Sequence, residues 1–194
     1  YFMRIGVFGG SFNPPHKMHE DIAHSLKKRD LLDKIIFVPT GSEYKYKNNL
    51  LPDQNRYDMV KLITDAYDYL DVSDYELKSE VVYTCETLAY FKDKYPKDEI
   101  YFICGLDNLS YIDSWKNAEY ILNNFKILVI KRNTDDLESI LKKLAKYKDN
   151  IIVTDIEKSS LSSTQIRENF TIQDMSVYLN ENVLKYIKDN DLYR

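Results

Sequence analysis

Short apolar runs rich in β-branched residues alternate with longer stretches of helical period along this chain. The runs span residues 5–8, 35–38, 100–103 and 127–130, with a shorter fifth at 151–153. Continuous apolar runs are typical of strands buried on both faces, as in a parallel sheet. Helical patterns lie at 18–32, 54–69, 84–95 and 137–147, and around 183–187. The alternation predicts right-handed βαβ units and a doubly wound parallel α/β sheet.

Length and charge limit the class of protein. The 194 residues suit about one domain with a true core, and neither an internal repeat nor a linker marks a second one. Hydrophobic residues at 44% exclude a disordered chain. A net charge of −4 argues against a nucleic-acid or membrane-binding surface, so a polyanionic ligand must meet a local basic site. A single domain is expected over 3–194, because Tyr1 and Phe2 precede the first methionine.

The cysteines and the apolar segments bear on location. Cys85 and Cys104 are too far apart for a metal knuckle and too few for a disulfide framework, which predicts free thiols in a reducing cytoplasm. No stretch approaches the roughly 18 apolar residues of a membrane span, and the start of the chain lacks a signal-peptide pattern. We therefore expect a cytoplasmic protein without a membrane partner.

The first motif, GGSFNPPHKMH at residues 9–19, lies between the first strand and the first helix. Ligands of open α/β sheets bind at this position, where glycines and a helix N-terminus accommodate phosphate. Gly9-Gly10 lacks the dinucleotide-binding G-x-G-x-x-G spacing. His16 and His19 project from one helix face, so both imidazoles are predicted to hold one phosphate. The pair is alternatively a metal site, although no third ligand lies nearby, or a solvated helix start.

The second motif, SLSSTQIR at residues 160–167, combines hydroxyls at a helix start with a cation one turn later. Its hydroxyls either cap the helix, with Arg167 solvated, or join Arg167 in a second anion site. Residues 40–53 form a long connection without apolar period, containing Lys45 and Lys47. Long connections are often binding lids, and a solvated surface loop is the alternative.

The two motifs resemble those of a nucleotidyltransferase family that carries G-x-F-x-P-x-H-x-x-H followed by S-S-T-x-I-R. Within this family the chain is similar to the bacterial nicotinate-nucleotide adenylyltransferases over nearly its whole length. The remaining matches are Val38-Pro39, residues 56–59, Tyr83-Thr84, Thr87-Leu88, residues 101–107, Trp115 and residues 183–193. Met18 departs from the family, which usually has glycine there, and places a side chain where an approaching nucleotide needs room.

The resemblance implies a Rossmann-like nucleotidyltransferase fold with a helical C-terminus. It implies transfer of an adenylyl group from ATP, accompanied by Mg²⁺, to nicotinate mononucleotide, with pyrophosphate released and no covalent intermediate. The product is nicotinate adenine dinucleotide, a step of NAD biosynthesis. Such transfers depend on positioning and on stabilising charge at phosphate oxygens.

The resemblance also assigns residues, with His16, His19 and Arg167 as the catalytic group and no metal bound by the protein alone. Predicted ATP contacts are Gly9, Gly10, Ser11, Phe12, His16, His19, Gly105, Asp107, Ser163, Thr164 and Arg167. Predicted acceptor contacts are Asn13, Lys45, Lys47, Tyr83, Thr84 and Trp115, with the choice between the two lysines open. On local sequence Asp107 is at least as readily a helix N-cap, and Trp115 is by default a core residue.

Three other functions are compatible with parts of this sequence pattern. An enzyme of the same class using nicotinamide mononucleotide or another phosphate acceptor is the main alternative, although Trp115 and Tyr83-Thr84 argue against phosphopantetheine. A class I aminoacyl-tRNA synthetase needs RNA-binding parts for which 194 residues leave no room. A non-catalytic nucleotide-binding regulator would tolerate loss of His16, His19 or Arg167, and all three are present. The oligomeric state is left open.

Overall fold

The computed structural model describes residues 2–42, 50–78, 80–131 and 136–194. Within these ranges six strands form one sheet, in which all neighbours are parallel. The strands are Arg4–Gly10 (β1), Lys34–Pro39 (β2), Leu70–Val72 (β3), Glu99–Gly105 (β4), Lys126–Lys131 (β5) and Ile151–Glu157 (β6). Their order across the sheet is β3-β2-β1-β4-β5-β6.

This strand order confirms the predicted doubly wound α/β fold and locates its binding crevice. The chain builds one half of the sheet outward from β1 to β3, then returns to place β4 on the other side of β1. The connections after β1 and after β4 therefore leave in opposite directions. The carboxyl ends of these two strands form a topological switch point, where ligands of such sheets bind.

Helices connect the strands. They are Lys17–Lys28 (α1), Asp53–Thr64 (α2), Thr84–Lys94 (α3), Leu106–Leu109 (α4), Ala118–Asn124 (α5), Leu137–Lys143 (α6), Ser163–Asn169 (α7) and Glu181–Asp189 (α8), with 3₁₀ turns at Ile112–Ser114 and Ala145–Asn150. The predicted helix 54–69 ends early because the chain turns into β3, and the predicted helix 137–147 gives way to a 3₁₀ turn. In the ranges described, none of these helices is both long and apolar enough to cross a membrane.

Side chains alternate between two cores on opposite faces of the sheet. Phe8 packs into the core covered by α1, α2 and α8, while Val7 packs into the core covered by α3 and α5. Ile35 and Ile36 divide in the same way on β2. Burial on both faces explains why these strands are continuous apolar runs in the sequence.

Candidate active site

Glycines end both strands at the switch point. Gly9 is exposed, and a Cβ added there would meet nothing closer than the Val38 carbonyl oxygen, 3.9 Å away. Space therefore remains in front of the β1 backbone for a ligand to approach closely. At the end of β4, a Cβ on Gly105 would lie 2.6 Å from Oδ1 of Asp107. Glycine at this position lets the carboxylate lie against the strand end.

The guanidinium of Arg56, which is 0% exposed, holds the first motif in place. Arg56 donates to the Ser11 carbonyl at 3.0 Å, and also to the carbonyls of Thr40 and Leu51 and the carboxylate of Asp53. Burial lowers the pKa of Arg56, and the Asp53 carboxylate opposes that effect. Arg56 is fully buried and its partner Asp53 is 30% exposed, so these hydrogen bonds compensate the buried charge, and Arg56 anchors the motif. Arg56 is among the residues that match the family, but its role as an anchor of the first motif was not predicted from the sequence.

Phe12 and Asn13 are packed inside the motif. Phe12 has a left-handed backbone, with φ of 49°, and its ring is 2% exposed. Asn13 is 1% exposed, and its Oδ1 accepts a hydrogen bond from the Leu51 backbone N–H at 3.3 Å. Both side chains thus support the shape of the motif, and their predicted ligand contacts stay predictions. An uncommon backbone conformation held by packing is a frequent feature of functional loops.

His16 and His19 are brought together at the start of α1. Their ring centroids lie 4.0 Å apart, and the His16 backbone N–H donates to Nδ1 of His19 at 3.0 Å. His16 is 1% exposed, and its Nδ1 is buried without a hydrogen-bond partner among the described residues. An unpaired buried polar atom costs about 1–3 kcal/mol, which a ligand hydrogen bond would recover.

Lys158, which directly follows β6, adds a cation to the histidine pair. Its backbone N–H donates to the Lys131 carbonyl at 2.8 Å, which holds it at the carboxyl edge of the sheet. Burial, and then the charge of Lys158, lower the pKa of His16 from 6.5 to about 4. Burial, His16 and Lys158 together lower the pKa of His19 well below 6.5. Both rings are therefore neutral near pH 7.

Lys158 was not anticipated by the sequence analysis. The sequence signal that could have identified it is its position, because a cation directly after a strand lies at the carboxyl edge of a parallel sheet.

The second motif packs directly on the first. Ser162 caps α7, because its hydroxyl accepts from the Gln165 backbone N–H at 3.2 Å. The Ser163 hydroxyl donates to the Pro14 carbonyl at 2.9 Å. Arg167 donates to the Asn13 carbonyl at 2.8 Å and to the Thr164 hydroxyl at 3.2 Å. The capping interpretation is therefore right for Ser162, while Arg167 is held against the first motif and is not simply solvated.

Asp107 lies in the first turn of the short helix α4 at the end of β4. The N-cap of α4 is Gly105, so the alternative that Asp107 is the N-cap was wrong. Its Oδ1 accepts from the Asn108 backbone N–H at 3.0 Å. The side chain is partly exposed at the carboxyl edge of the sheet, so its predicted contact with ATP stays a prediction.

The predicted acceptor residues around α3 lie beside the segment that carries Trp115. Lys116 lies 4.5 Å from the centroid of the Tyr83 ring, and Asn117 donates to Sγ of Cys85 at 3.9 Å. These contacts join the start of α3, where Thr84 is the first residue, to residues 115–117. The Trp115 ring packs edge-on against Phe102, with centroids 6.0 Å apart, and stays partly exposed. Trp115 is thus packed against the core on one side and exposed to solvent on the other part of its ring.

Three further predictions have separate outcomes. Lys45 and Lys47 lie outside the described residues. The Met18 side chain is 7% exposed and packs into the core covered by α1, and its effect on the approach of the nucleotide stays a prediction. Within the ranges described, no group of three or more His, Cys, Asp or Glu side chains is placed to hold a metal ion.

The family model for cytidylyltransferase-like proteins matches residues 7–169. The chain therefore belongs to the cytidylyltransferase-like family. The match begins in β1 and ends with α7, so it spans both motifs.

Individual relatives narrow the comparison. A Clostridium botulinum protein described as a probable nicotinate-nucleotide adenylyltransferase is 36% identical over 196 residues, covering 97% of this chain and 98% of the relative. A Clostridium tetani protein of the same description is 37% identical over 195 residues, with the same coverage. The resemblance drawn from the two motifs is thereby confirmed.

Solved structures agree on the fold. Nicotinic acid mononucleotide adenylyltransferase of Plasmodium falciparum, complexed with NaAD, superposes with a TM-score of 0.82 at 24% identity, covering 98% of this chain and 97% of that one. The same enzyme complexed with APC gives a TM-score of 0.79 at 25% identity, with the same coverage. Both likenesses cover more of the chain than the family match does.

Proposed function

We propose that this chain is a nicotinate-nucleotide adenylyltransferase, which joins ATP and nicotinate mononucleotide into nicotinate adenine dinucleotide and pyrophosphate. The observation that carries the proposal is Nδ1 of His16, which is buried beside His19 and has no hydrogen-bond partner among the described residues, in the same motif as the open backbone of Gly9. A phosphate oxygen placed there would give that nitrogen a partner. The full-length similarity to proteins of this description supplies the choice of substrates.

The reaction needs no covalent intermediate on the protein. A phosphate oxygen of the mononucleotide attacks the α-phosphorus of ATP, a new P–O bond forms, and the bond between the α-phosphorus and its bridging oxygen breaks. Pyrophosphate leaves with the electron pair of that bond. Positioned hydrogen bonds and charges supply most of the catalysis in such transfers.

The two histidines act as neutral hydrogen-bonding groups in this scheme. Nδ1 of His19 accepts from the His16 backbone, so the proton of the neutral ring lies on Nε2, which donates to an α-phosphate oxygen. His16 offers to the same phosphate its Nδ1, which has no partner within the part of the chain that the structure describes. Because both pKa values are lowered, positive charge must come from elsewhere.

Arg167 and Lys158 supply that charge from the protein. Arg167 lies against the first motif at Asn13, which suits it to the β- and γ-phosphates, with Ser163 and Thr164 beside it. The charge of Lys158, which directly follows β6, acts on both histidines. Mg²⁺ enters with ATP as part of the substrate and neutralises phosphate charge. A protein of net charge −4 accommodates these anions because its cations are local.

The acceptor is proposed to lie at Tyr83, Thr84 and Trp115. The exposed part of the Trp115 ring stacks on the pyridine ring, and the first backbone N–H groups of α3 meet its carboxylate. Lys116 adds a cation beside Tyr83. The carboxamide of nicotinamide mononucleotide would place its own N–H groups against these N–H donors and leave them unpaired. We therefore expect a preference for nicotinate over nicotinamide mononucleotide. A cytoplasmic location is part of the proposal, supported by two buried, free cysteines.

An acceptor panel tests the proposal. Pyrophosphate release is measured with Mg–ATP and, in parallel, nicotinate mononucleotide, nicotinamide mononucleotide and phosphopantetheine. We expect kcat/KM at least about tenfold higher for nicotinate mononucleotide than for the amide, because one unpaired buried group costs on the order of 1–3 kcal/mol. Equal values would overturn the acceptor assignment. ATP binding without pyrophosphate release for any acceptor would favour the non-catalytic regulator.

A further inference from the structure

A tyrosine from the segment after α8 reaches into the first motif. The hydroxyl of Tyr193 donates to Oδ1 of Asn13 at 2.6 Å, across 180 positions of the chain. Asn13 is 1% exposed and Tyr193 is half-buried, so this bond is partly shielded from solvent. Burial raises the pKa of the Tyr193 phenol, while the charges of Arg167 and Arg56 act in the opposite direction. The hydroxyl therefore stays protonated near neutral pH and donates.

Asn13 connects Tyr193 to Arg167. The backbone carbonyl of Asn13 accepts from Nη1 of Arg167 at 2.8 Å, while its side-chain oxygen accepts from Tyr193. The Tyr193 ring also lies 6.3 Å, between centroids, from Phe170, which directly follows α7. Tyr193 thus contacts both the residue that orients the Arg167 guanidinium and the end of the helix that carries it.

Loss of the hydroxyl would weaken this arrangement in a defined way. Without the Tyr193 hydroxyl, Oδ1 of Asn13 would keep the Leu51 backbone N–H as a donor, at a longer 3.3 Å. A buried amide oxygen with a poorer partner favours rearrangement of the backbone around it. The same residue fixes the guanidinium, so Arg167 would lose its defined direction.

We propose that Tyr193 is a positioning residue for the triphosphate of ATP, acting through Asn13 to orient Arg167. This inference rests on the proposed adenylyl transfer. It differs from a purely structural role, in which the tyrosine would affect unfolding and leave ligand affinity unchanged.

Tyr186 provides a matched control. It lies on α8, and its hydroxyl accepts from Nδ2 of Asn55 on α2 at 3.0 Å. Tyr186→Phe therefore removes a partly buried hydroxyl and one side-chain hydrogen bond, as Tyr193→Phe does. The Asn55 contact does not involve the first motif or α7, so only the site differs between the two variants.

The test compares both variants with the unaltered chain by steady-state kinetics, thermal unfolding and calorimetric titration with Mg–ATP. For Tyr193→Phe we expect the KM and the calorimetric Kd for ATP to rise roughly three- to tenfold, as loss of one buried hydrogen bond implies. The KM for nicotinate mononucleotide changes less, and the melting temperature falls no further than in Tyr186→Phe. ATP affinities that match between the two variants would overturn the proposal, as would an equal loss of affinity for both substrates.

A double substitution tests the route through Asn13. Because Tyr193 acts on Arg167 through Asn13, adding Tyr193→Phe to Asn13→Ala should weaken ATP binding little further, whereas additive losses would contradict that route. Failure of the proposed function would be visible separately. The unaltered chain would then make no dinucleotide, while calorimetry with ATP would still compare Tyr193→Phe with Tyr186→Phe.

Discussion

The backbone N–H of His16 donates to Nδ1 of His19 at 3.0 Å, and the two rings lie 4.0 Å apart. The bond fixes which nitrogen of His19 carries the proton in the neutral ring, and it directs Nε2 away from the backbone. The pair is thus set for hydrogen bonding before substrate arrives. Such preorganised donors stabilise developing charge without reorganising during the reaction.

His19→Ala should lower kcat by about 100-fold or more, because it removes one of these donors. The variant should still fold, with some loss of stability, since the His19 ring packs edge-on against Phe12 at 5.0 Å. Steady-state pyrophosphate release and thermal unfolding measure the two effects.

His24→Ala is the control for that substitution. His24 lies on the same helix, and its Nδ1 pairs with the Tyr69 hydroxyl away from the switch point. Its kcat should stay near that of the unaltered chain. Unchanged turnover in His19→Ala, or equal losses in both variants, would contradict the role of His19.

Arg167→Ala should weaken ATP and pyrophosphate binding more than mononucleotide binding, because the guanidinium is assigned to the far phosphates. Arg167→Lys keeps the charge and loses the planar fork, so it should recover only part of the affinity. Separate titrations of each ligand provide the measurement. A larger loss of affinity for the mononucleotide would contradict the assignment of Arg167 to the phosphates of ATP.

Lys158→Met should raise the KM for ATP and also raise the pKa of His16, since the lysine charge helps to hold that pKa near 4. Histidine NMR titration follows the second effect without substrate. Lys185→Met is the control, because Lys185 pairs with Asp189 on the surface of α8. An unmoved His16 titration would show that Lys158 does not act on the pair.

These residues show how far the sequence alone could lead. Four strands were predictable because their apolar residues are buried on both faces, whereas β3 has only Leu70 firmly buried. The start of β6, predicted as a shorter apolar run at 151–153, is half-buried. The histidines and Arg167 lie within local motifs, so they could be found by spacing. Tyr193 and Lys158 act through contacts with segments far away in the chain, which no local pattern reports. Asn13 was predicted as a substrate contact, and the structure adds its role as an anchor.

Glu76→Gln should make the stability of the fold less sensitive to a rise in pH from 5 to 8. Burial raises the pKa of the Glu76 carboxyl from 4.5 to about 7, although the Thr87 hydroxyl, donating at 2.8 Å, partly opposes this. The folded state binds this proton more tightly, so the stabilisation is complete below pH 4.5 and is lost as the pH rises through 7. The melting temperature should therefore fall less between pH 5 and 8 in Glu76→Gln than in the unaltered chain. The difference should be about what a single titrating group contributes.

Glu119→Gln, an exposed change at the start of α5, is the control for that pH series. It should follow the unaltered chain at every pH. Parallel pH curves for Glu76→Gln and Glu119→Gln would contradict a raised pKa at Glu76.

Product identification after a reaction with α-phosphate-labelled ATP, Mg²⁺ and nicotinate mononucleotide tests the central claim most directly. Mass spectrometry should show the label in nicotinate adenine dinucleotide, with one unlabelled pyrophosphate released for each dinucleotide formed. His19→Ala should form this product far more slowly under the same conditions. Label found only in ADP or AMP, with no dinucleotide from the unaltered chain, would contradict adenylyl transfer to nicotinate mononucleotide.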